Sequence, residues 1–520
     1  MSELNTLLND DQIERFIADG FLIVQSDVDK ALHARVERRL REVDAAESWH
    51  GNNILPRIPE LHEVLQCSVV RGALVSLLGE DYLLHPHRAV HRSVPLDEAV
   101  GVDVEADGTP MGKGSTAASV WHQDAQSPLA RARHHLPRFI IGFYFPHDTP
   151  LVMGPTRLQA GSYFWSSPQP TPLGVVVPDH VAAGTVMLVH FDMVHAGLSN
   201  CSDNDRFMLK FVFNRVSNPS APTWKSERSA WHGSQAQSVT APTDAWQFVW
   251  RWMRGNATRP VTKTKPSDLH AQDLETSINS IYRCHDPKVL AQVLRGKAGL
   301  GLHERVLIGP YKGKRYIKDD VTGYPRRWNE RAIVMEPEAY ALGTQGVEAI
   351  PHLVELVELN DPWLNVNVAF ALGEIAVMND QVREVLSQLL ASEHQQVVRQ
   401  SIDAVSFIQA DAEPFLEQFM QFMTVDCEAW QRKEVERGWV AQEQIRLNVM
   451  FACVSLLTTA TDPQRLEELF KSGLGDQGYC AEVAVEGLRR LGTPSALATA
   501  LEFTAKRTWD AGLLGKQKPY

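Results

Sequence analysis

The hydrophobic pattern changes period partway along this chain, and that change limits the fold more than any other feature. From residue 82 to about 216 the apolar residues come in short runs between turn residues: Tyr82-Leu83-Leu84, Ala118-Ser119-Val120, Phe139-Ile140-Ile141-Gly142-Phe143-Tyr144-Phe145, Gly174-Val175-Val176-Val177, Thr185-Val186-Met187-Leu188-Val189 and Phe207-Met208-Leu209-Lys210-Phe211-Val212-Phe213. Many short strands punctuated by Gly and Pro predict a sandwich or jelly roll. After about residue 268 the strand signal fades and helical spacing runs to the end. The expected class is α+β, a β core followed by an all-α part.

Helices precede the β core. Asn9-Asp10-Asp11-Gln12-Ile13 through Gly20 predicts an amphipathic helix capped by Asn9 or Asp10, with Ile13, Phe16 and Ile17 on its apolar face and Gly20 ending it. Phe21-Leu22-Ile23-Val24 follows as a strand, and residues 29–48 and 60–79 have helical spacing. After the core, residues 217–245 are Ser-, Pro-, Thr- and Ala-rich and predict a connector. The aromatic helix Trp246-Gln247-Phe248-Val249-Trp250-Arg251-Trp252-Met253 comes next. With Trp224 and Trp231 it predicts an aromatic seam between parts of the molecule, with a substrate-stacking wall as the alternative.

The C-terminal part repeats. A helix at Ala349-Ile350-Pro351-His352-Leu353, a turn at Asn360-Asp361-Pro362 and a helix through Val366, Ala369, Leu372 and Ile375 make one pair. The pattern returns 33 residues on, with Leu386 in the place of Leu353 and Val405 in that of Leu372. Helical pairs at such a period predict an α-solenoid of about four to five pairs. The expected divisions are 1–255 for the β-containing unit, 256–335 for a connector and 336–520 for the solenoid. Within the connector, the Gly- and Lys/Arg-rich residues 296–331 predict a solvated excursion.

A length of 520 residues implies two or three domains, each able to bury a core. No apolar run approaches the roughly 20 residues needed to span a bilayer, and the N-terminus lacks the pattern of a signal peptide. The six scattered cysteines form no C-x-x-C pair, so free thiols in a cytoplasmic protein are expected. A net charge of -12 disfavours nucleic acid as a partner. The expected partners are a small-molecule substrate and, through the repeats, a protein or a second copy of this chain.

The chemistry concentrates at Val120-Trp121-His122-Gln123-Asp124. Residues two apart on a strand share a face, so His122 and Asp124 can grip one metal ion, and His195 is the candidate third ligand. A second His-x-Asp, His190-Phe191-Asp192, competes with it. Strand alternation puts His190 with Val186 and Leu188, and the strand ends before Asp192 can share that face. Two neutral imidazoles and a carboxylate on one face of an ion leave three adjacent positions open, which suits non-haem Fe(II). Two open positions can chelate a 2-oxo acid and the third can take dioxygen. The far carboxylate of the acid then needs a planar bidentate donor, and Arg206 on the next strand is the candidate. The cluster Arg131, Arg133, His134, His135 and Arg138 predicts a solvated loop, with an anionic substrate as the alternative.

Together, and in this order, several stretches resemble the phytanoyl-CoA dioxygenase family of Fe(II)/2-oxoglutarate oxygenases. They are Leu8-Asn9-Asp10-Asp11-Gln12-Ile13 with Asp19-Gly20-Phe21-Leu22-Ile23-Val24, the Trp121-His122-Gln123-Asp124 box, Gly154-Pro155-Thr156-Arg157-Leu158-Gln159-Ala160-Gly161-Ser162, Gly184-Thr185, and His195-Ala196-Gly197 through Asn200 to Arg206. The resemblance implies a double-stranded β-helix of the jelly-roll or cupin kind, with His122, Asp124 and His195 on iron and Arg206 on 2-oxoglutarate. Thr156 and His91 are the candidate further cosubstrate contacts. It also implies a dioxygenase that hydroxylates, or otherwise oxidises a C–H bond of, a small organic molecule, as in secondary metabolism. The chain departs from the family at residues 85–92 and at Ala160-Gly161-Ser162-Tyr163, which bear on the second cosubstrate contact and on the substrate side of the pocket. Residues 371–376 and 397–401 resemble short HEAT-like repeats. Two alternatives belong with these repeats: an interaction scaffold whose oxygenase-like domain is inactive, and an oxygenase acting on a carrier-bound or peptide substrate.

Overall fold

A computed structural model describes residues 6–47, 51–96, 103–104, 110–111, 121–124, 132–165, 173–233, 236–256, 274, 277–299, 333–431, 441–476 and 478–507. The strand expected at 118–120, Arg131 and residues 300–331 of the basic excursion lie outside them. Twelve strands are described: β1 (Phe21–Gln25), β2 (Leu83–Ser93), β3 (Asp103–Val104), β4 (Pro110–Met111), β5 (Phe139–Tyr144), β6 (Thr149–Pro150), β7 (Thr156–Gln159), β8 (Val175–Val176), β9 (His180–Val181), β10 (Thr185–His190), β11 (His195–Gly197) and β12 (Arg206–Asn214).

Five of them form an antiparallel sheet in the order β1-β10-β5-β12-β2, and three form a smaller one, β11-β7-β8. The period-2 alternation of each strand builds two cores. One face of the large sheet sends Phe143, Ile141, Met187, Val189, Met208 and Val212 against Leu158 and Val176 of the small sheet. The other face, with Ile140, Val186, Leu188, Leu209, Phe211 and Phe213, packs on the N-terminal helices and runs without a break into the apolar side of the C-terminal helices. The central strands are apolar on both faces because both faces are covered.

Helix α1 (Asp10–Asp19) begins with a capping box: Asn9 Oδ1 accepts from Gln12 N, and Gln12 Oε1 accepts from Asn9 N, each at 3.0 Å. Asp10 has another task, accepting from Trp224 Nε1 at 2.7 Å and from the backbone of Glu227 and Arg228. The connector at 217–245 is therefore strapped along α1. Gly20 ends α1 at φ 83°, a left-handed conformation that strains any residue with a Cβ, and a Cβ there would also press on Met193 and Tyr163. Residues 60–79 form two helices, Glu60–Gln66 and Ser68–Leu78, parted at the extended Cys67. The aromatic helix is Thr243–Met253; Trp250 and Trp224 lie 5.5 Å apart, and Trp246 and Trp231 5.8 Å, so the tryptophans pack on one another as a seam.

Beyond residue 336 every element among the described residues is a helix. Pro362–Ile375, Gln395–Ile408, Ala441–Leu456 and Tyr479–Leu491 pack in succession as one row, backed by Ile350–Val357, Asp380–Leu390, Glu413–Thr424 and Pro463–Gly473. Leu353, Leu386, Leu372 and Val405, the four markers of the 33-residue repeat, are all fully buried. Helix starts follow capping rules: Asp361 accepts from Leu364 N and Asn379 from Val382 N, each at 2.9 Å. The first row faces the β core. Gln409 Nε2 donates to Val216 O at 2.9 Å, Phe451 stacks on His85 at 4.9 Å, and Glu482 pairs with Arg88. None of the six cysteines forms a disulfide. Among the described residues no single helix is long and apolar enough to cross a membrane.

Candidate metal centre

Residues 121–124 pair with β11. His122 N–H donates to His195 O at 3.1 Å and His195 N–H donates to His122 O at 2.9 Å, so the two histidines stand directly opposite in an antiparallel bridge. Alternation then separates the four side chains. Trp121 packs with Val194 and Ala196 beneath the Arg157 guanidinium, and Gln123 donates to Asp192 O at 2.8 Å. His122 and Asp124 point the other way, toward the large sheet. The His122 and His195 rings lie 4.4 Å apart, His122 Nε2 is 3.9 Å from Asp124 Oδ1, and the His195 ring is 5.2 Å from Phe143 of β5. One atom from each of His122, Asp124 and His195 falls within 4.8 Å of the others, the one such group of three among the described residues.

Protonation suits these atoms to a cation. His195 Nδ1 lies 2.9 Å from Met193 O. A carbonyl only accepts, so Nδ1 carries the proton and Nε2 keeps its lone pair. Burial, helped by the neighbouring His122, lowers the His195 pKa to about 3, so the ring is neutral at ordinary pH. Burial pushes the Asp124 carboxyl up, but Lys210 and the two histidines override it and hold it well below the usual carboxylate range. Two imidazoles and a carboxylate form the donor set of a facial triad with open positions, the kind that takes Fe(II).

Arg206 opens β12 with its side chain buried. Nη1 donates to Gly154 O, while Nε is buried without a partner. Burial lowers its pKa to about 10, which leaves it charged at neutral pH. A buried guanidinium with an unmet donor fits a carboxylate ligand. Thr156 lies on β7 opposite Gly197, on the face that also carries Leu158, the residue opposite His195. His91 lies on β2 opposite Met208 and remains exposed.

The decoy turns away. His190 stacks on Tyr163 at 4.3 Å, lies 3.3 Å from Leu136 O through Nε2, and accepts from Asp192 N–H at 3.2 Å. Asp192 is held by Arg133 Nη1 at 2.5 Å and by the His134 N–H at 3.1 Å. The expectation of a solvated loop at residues 131–138 is corrected here: Arg133, His134, His135 and Arg138 are all buried. Nor do they open on a substrate. Arg133 also donates to Asp124 O at 3.1 Å, His135 meets Tyr282 Oη at 2.7 Å, and Glu374 lies 3.1 Å from both His134 Nδ1 and Arg138 Nε. Buried charges need partners: Arg133 finds Asp192, 59 residues on, and His134, His135 and Arg138 find theirs more than a hundred residues downstream at Tyr282 and Glu374.

Lys210 is the residue the motifs missed. Its Nζ donates to Asp124 Oδ2 at 3.0 Å, with both side chains nearly buried. A lysine inside the apolar run 207–213, in phase with Arg206, was the available signal.

No protein-family model matches the chain, and no curated protein does. Among solved structures the chain is similar to a non-heme monooxygenase, the ThoJ–Ni complex (19% identity, 42% of this chain and 88% of that one, TM-score 0.32). It is also similar to AviO1 from Streptomyces viridochromogenes Tue57 (17%, 42% and 100%, TM-score 0.31) and to HygX from Streptomyces hygroscopicus (12%, 44% and 95%, TM-score 0.30). Each likeness covers less than half of this chain, and at these TM-scores nothing below is built on them.

Proposed function

We propose that this chain is a non-haem Fe(II)/2-oxoglutarate-dependent dioxygenase that oxidises a C–H bond of a small organic molecule, hydroxylation being the simplest outcome. One observation carries this: three ligand atoms of the right chemical kinds converge within 4.8 Å, and a buried arginine with an unmet donor lies on the neighbouring sheet. His122, Asp124 and His195 would hold the iron and Arg206 the far carboxylate of 2-oxoglutarate, with Thr156 and His91 as further contacts to the cosubstrate. Iron bound there with 2-oxoglutarate and dioxygen would supply an oxidant able to break a C–H bond, as 2-oxoglutarate is decarboxylated to succinate. The chain's own work is to fix the ligands: Met193 sets the His195 tautomer, and Lys210 takes one oxygen of Asp124. In this proposal the two facing sheets are the halves of a double-stranded β-helix of the phytanoyl-CoA dioxygenase kind, within residues 1–255. The HEAT-like repeats buttress it from behind, as the contacts of Glu374 with His134 and Arg138 support.

The test is binding first and turnover second. Fe(II), or Ni(II) as an inert probe, at a hundred times its Kd should raise the stability of the wild-type chain by about 2.7 kcal/mol. His122→Ala should show no such rise. Wild type given Fe(II), 2-oxoglutarate and air should form succinate above the level of His122→Ala. Equal metal uptake by the two proteins would sink the proposal.

A further inference from the structure

Arg206 and Lys210 are four residues apart on β12, on the same face of the strand, with Met208 between them. Both side chains are buried or nearly so. Among the described residues Lys210 has one carboxylate partner, Asp124, through Oδ2, and Arg206 has none. Arg206 has a backbone carbonyl and an unmet Nε. The neighbours of Lys210 across the sheet, Ala89 and Phe143, offer no charge. Two buried cations with one carboxylate leave an excess of positive charge, and buried charge is stable only when paired. A ligand with two carboxylates joined by a short chain supplies what is missing.

We propose that Lys210 is the second anion-binding group for the 2-oxo acid, and that its hold on Asp124 makes metal and cosubstrate binding depend on each other. This rests on the proposed oxygenase function. A divalent cation arriving alone meets an ammonium already seated on one of its ligands, so like charges oppose its binding. A dianion arriving with it gives the ammonium a partner and removes the opposition. Thr156 is neutral and His91 is exposed, so neither takes the place of the buried ammonium.

The experiment measures Ni(II) and 2-oxoglutarate affinities by calorimetry on the full chain, each with and without the other, for wild type, Lys210→Met and Lys210→Gln. In wild type, 2-oxoglutarate should tighten Ni(II) binding. In Lys210→Met, Ni(II) alone should bind at least as tightly as to wild type, while 2-oxoglutarate at saturating Ni(II) should bind about tenfold or more weakly. Lys210→Gln keeps a donor for Asp124 without the charge, and should lose 2-oxoglutarate in the same way; it also serves if the Met variant does not fold. Unchanged 2-oxoglutarate affinity in either folded variant overturns the proposal. So does weaker binding of Ni(II) alone to both, which would mean that Lys210 only holds Asp124 in place. If wild type binds neither ligand, or His122→Ala binds both as wild type does, the oxygenase function fails as well, and that result is distinct from the other two.

Discussion

Asp124 is a buried carboxylate and Glu374 a nearly buried one, both held below the usual range, one in the candidate metal centre and one where the helical array meets the β core. At Glu374 burial raises the pKa, but Arg138 and His134 bring it down to about 2. Both are donors fixed by packing of their own, with His134 stacked on Phe370 and Arg138 over the Phe407 ring. Asp124 has a different company. Lys210 takes one oxygen, while ring nitrogens of His122 and His195 gather with the carboxylate around one space. The lesson is in the polarity of the partners: donors around a carboxylate complete a structural ion pair, whereas lone pairs gathered around it leave a cation to be supplied. The two regions are joined by residues 133–138, since Arg133 and His134 hold Asp192, Arg133 also touches Asp124 O, and Tyr340 Oη donates to Arg133 O at 2.8 Å.

If Glu374 is structural, Glu374→Ala should cost about 3–5 kcal/mol, because it leaves Arg138 buried without its counter-charge and His134 Nδ1 without its acceptor. Urea unfolding checks this, and a variant as stable as wild type would erase the contrast with Asp124. The same carboxylate sets a pH dependence. Its folded pKa is lowered from 4.5 to about 2, so its contribution is full above about pH 4.5 and is lost as pH falls toward 2. That contribution is on the order of 3 kcal/mol, and Glu374→Gln should lack this part of the acid slope. A smaller effect tests the join between the regions: Tyr340→Phe removes one buried hydrogen bond and should cost about 1 kcal/mol, with Ni(II) affinity unchanged. A loss of metal affinity there would show that the array tunes the metal centre as well as supporting it.

Period and capping were legible residue by residue. The cap at Asn9, one of the two candidates, the Phe139–Tyr144 and Thr185–His190 strands and the 33-residue return from Leu353 to Leu386 follow from local rules. The placing of His122 and Asp124 on one face, with His190 turned away, follows from strand alternation. The 133–138 cluster was misread because its partners, Asp192, Tyr282 and Glu374, are distant in sequence. Charge in a short polar stretch looks solvated until its counter-ions are known. The break at Cys67 within 60–79 also escaped the helical pattern, since the apolar spacing continues across it.

The sequence by itself determined which segments are strand or helix, which face each presents, and the residue types able to hold a metal and a carboxylate, because these depend on backbone geometry that repeats every two or 3.6 residues. Only the tertiary structure decided that His122 and His195 stand opposite one another, that Lys210 reaches Asp124, and that one row of the repeats faces the chain's own β core. Those are contacts between residues far apart in the chain. They are set by register and by the pairing of buried charge, which no local pattern records.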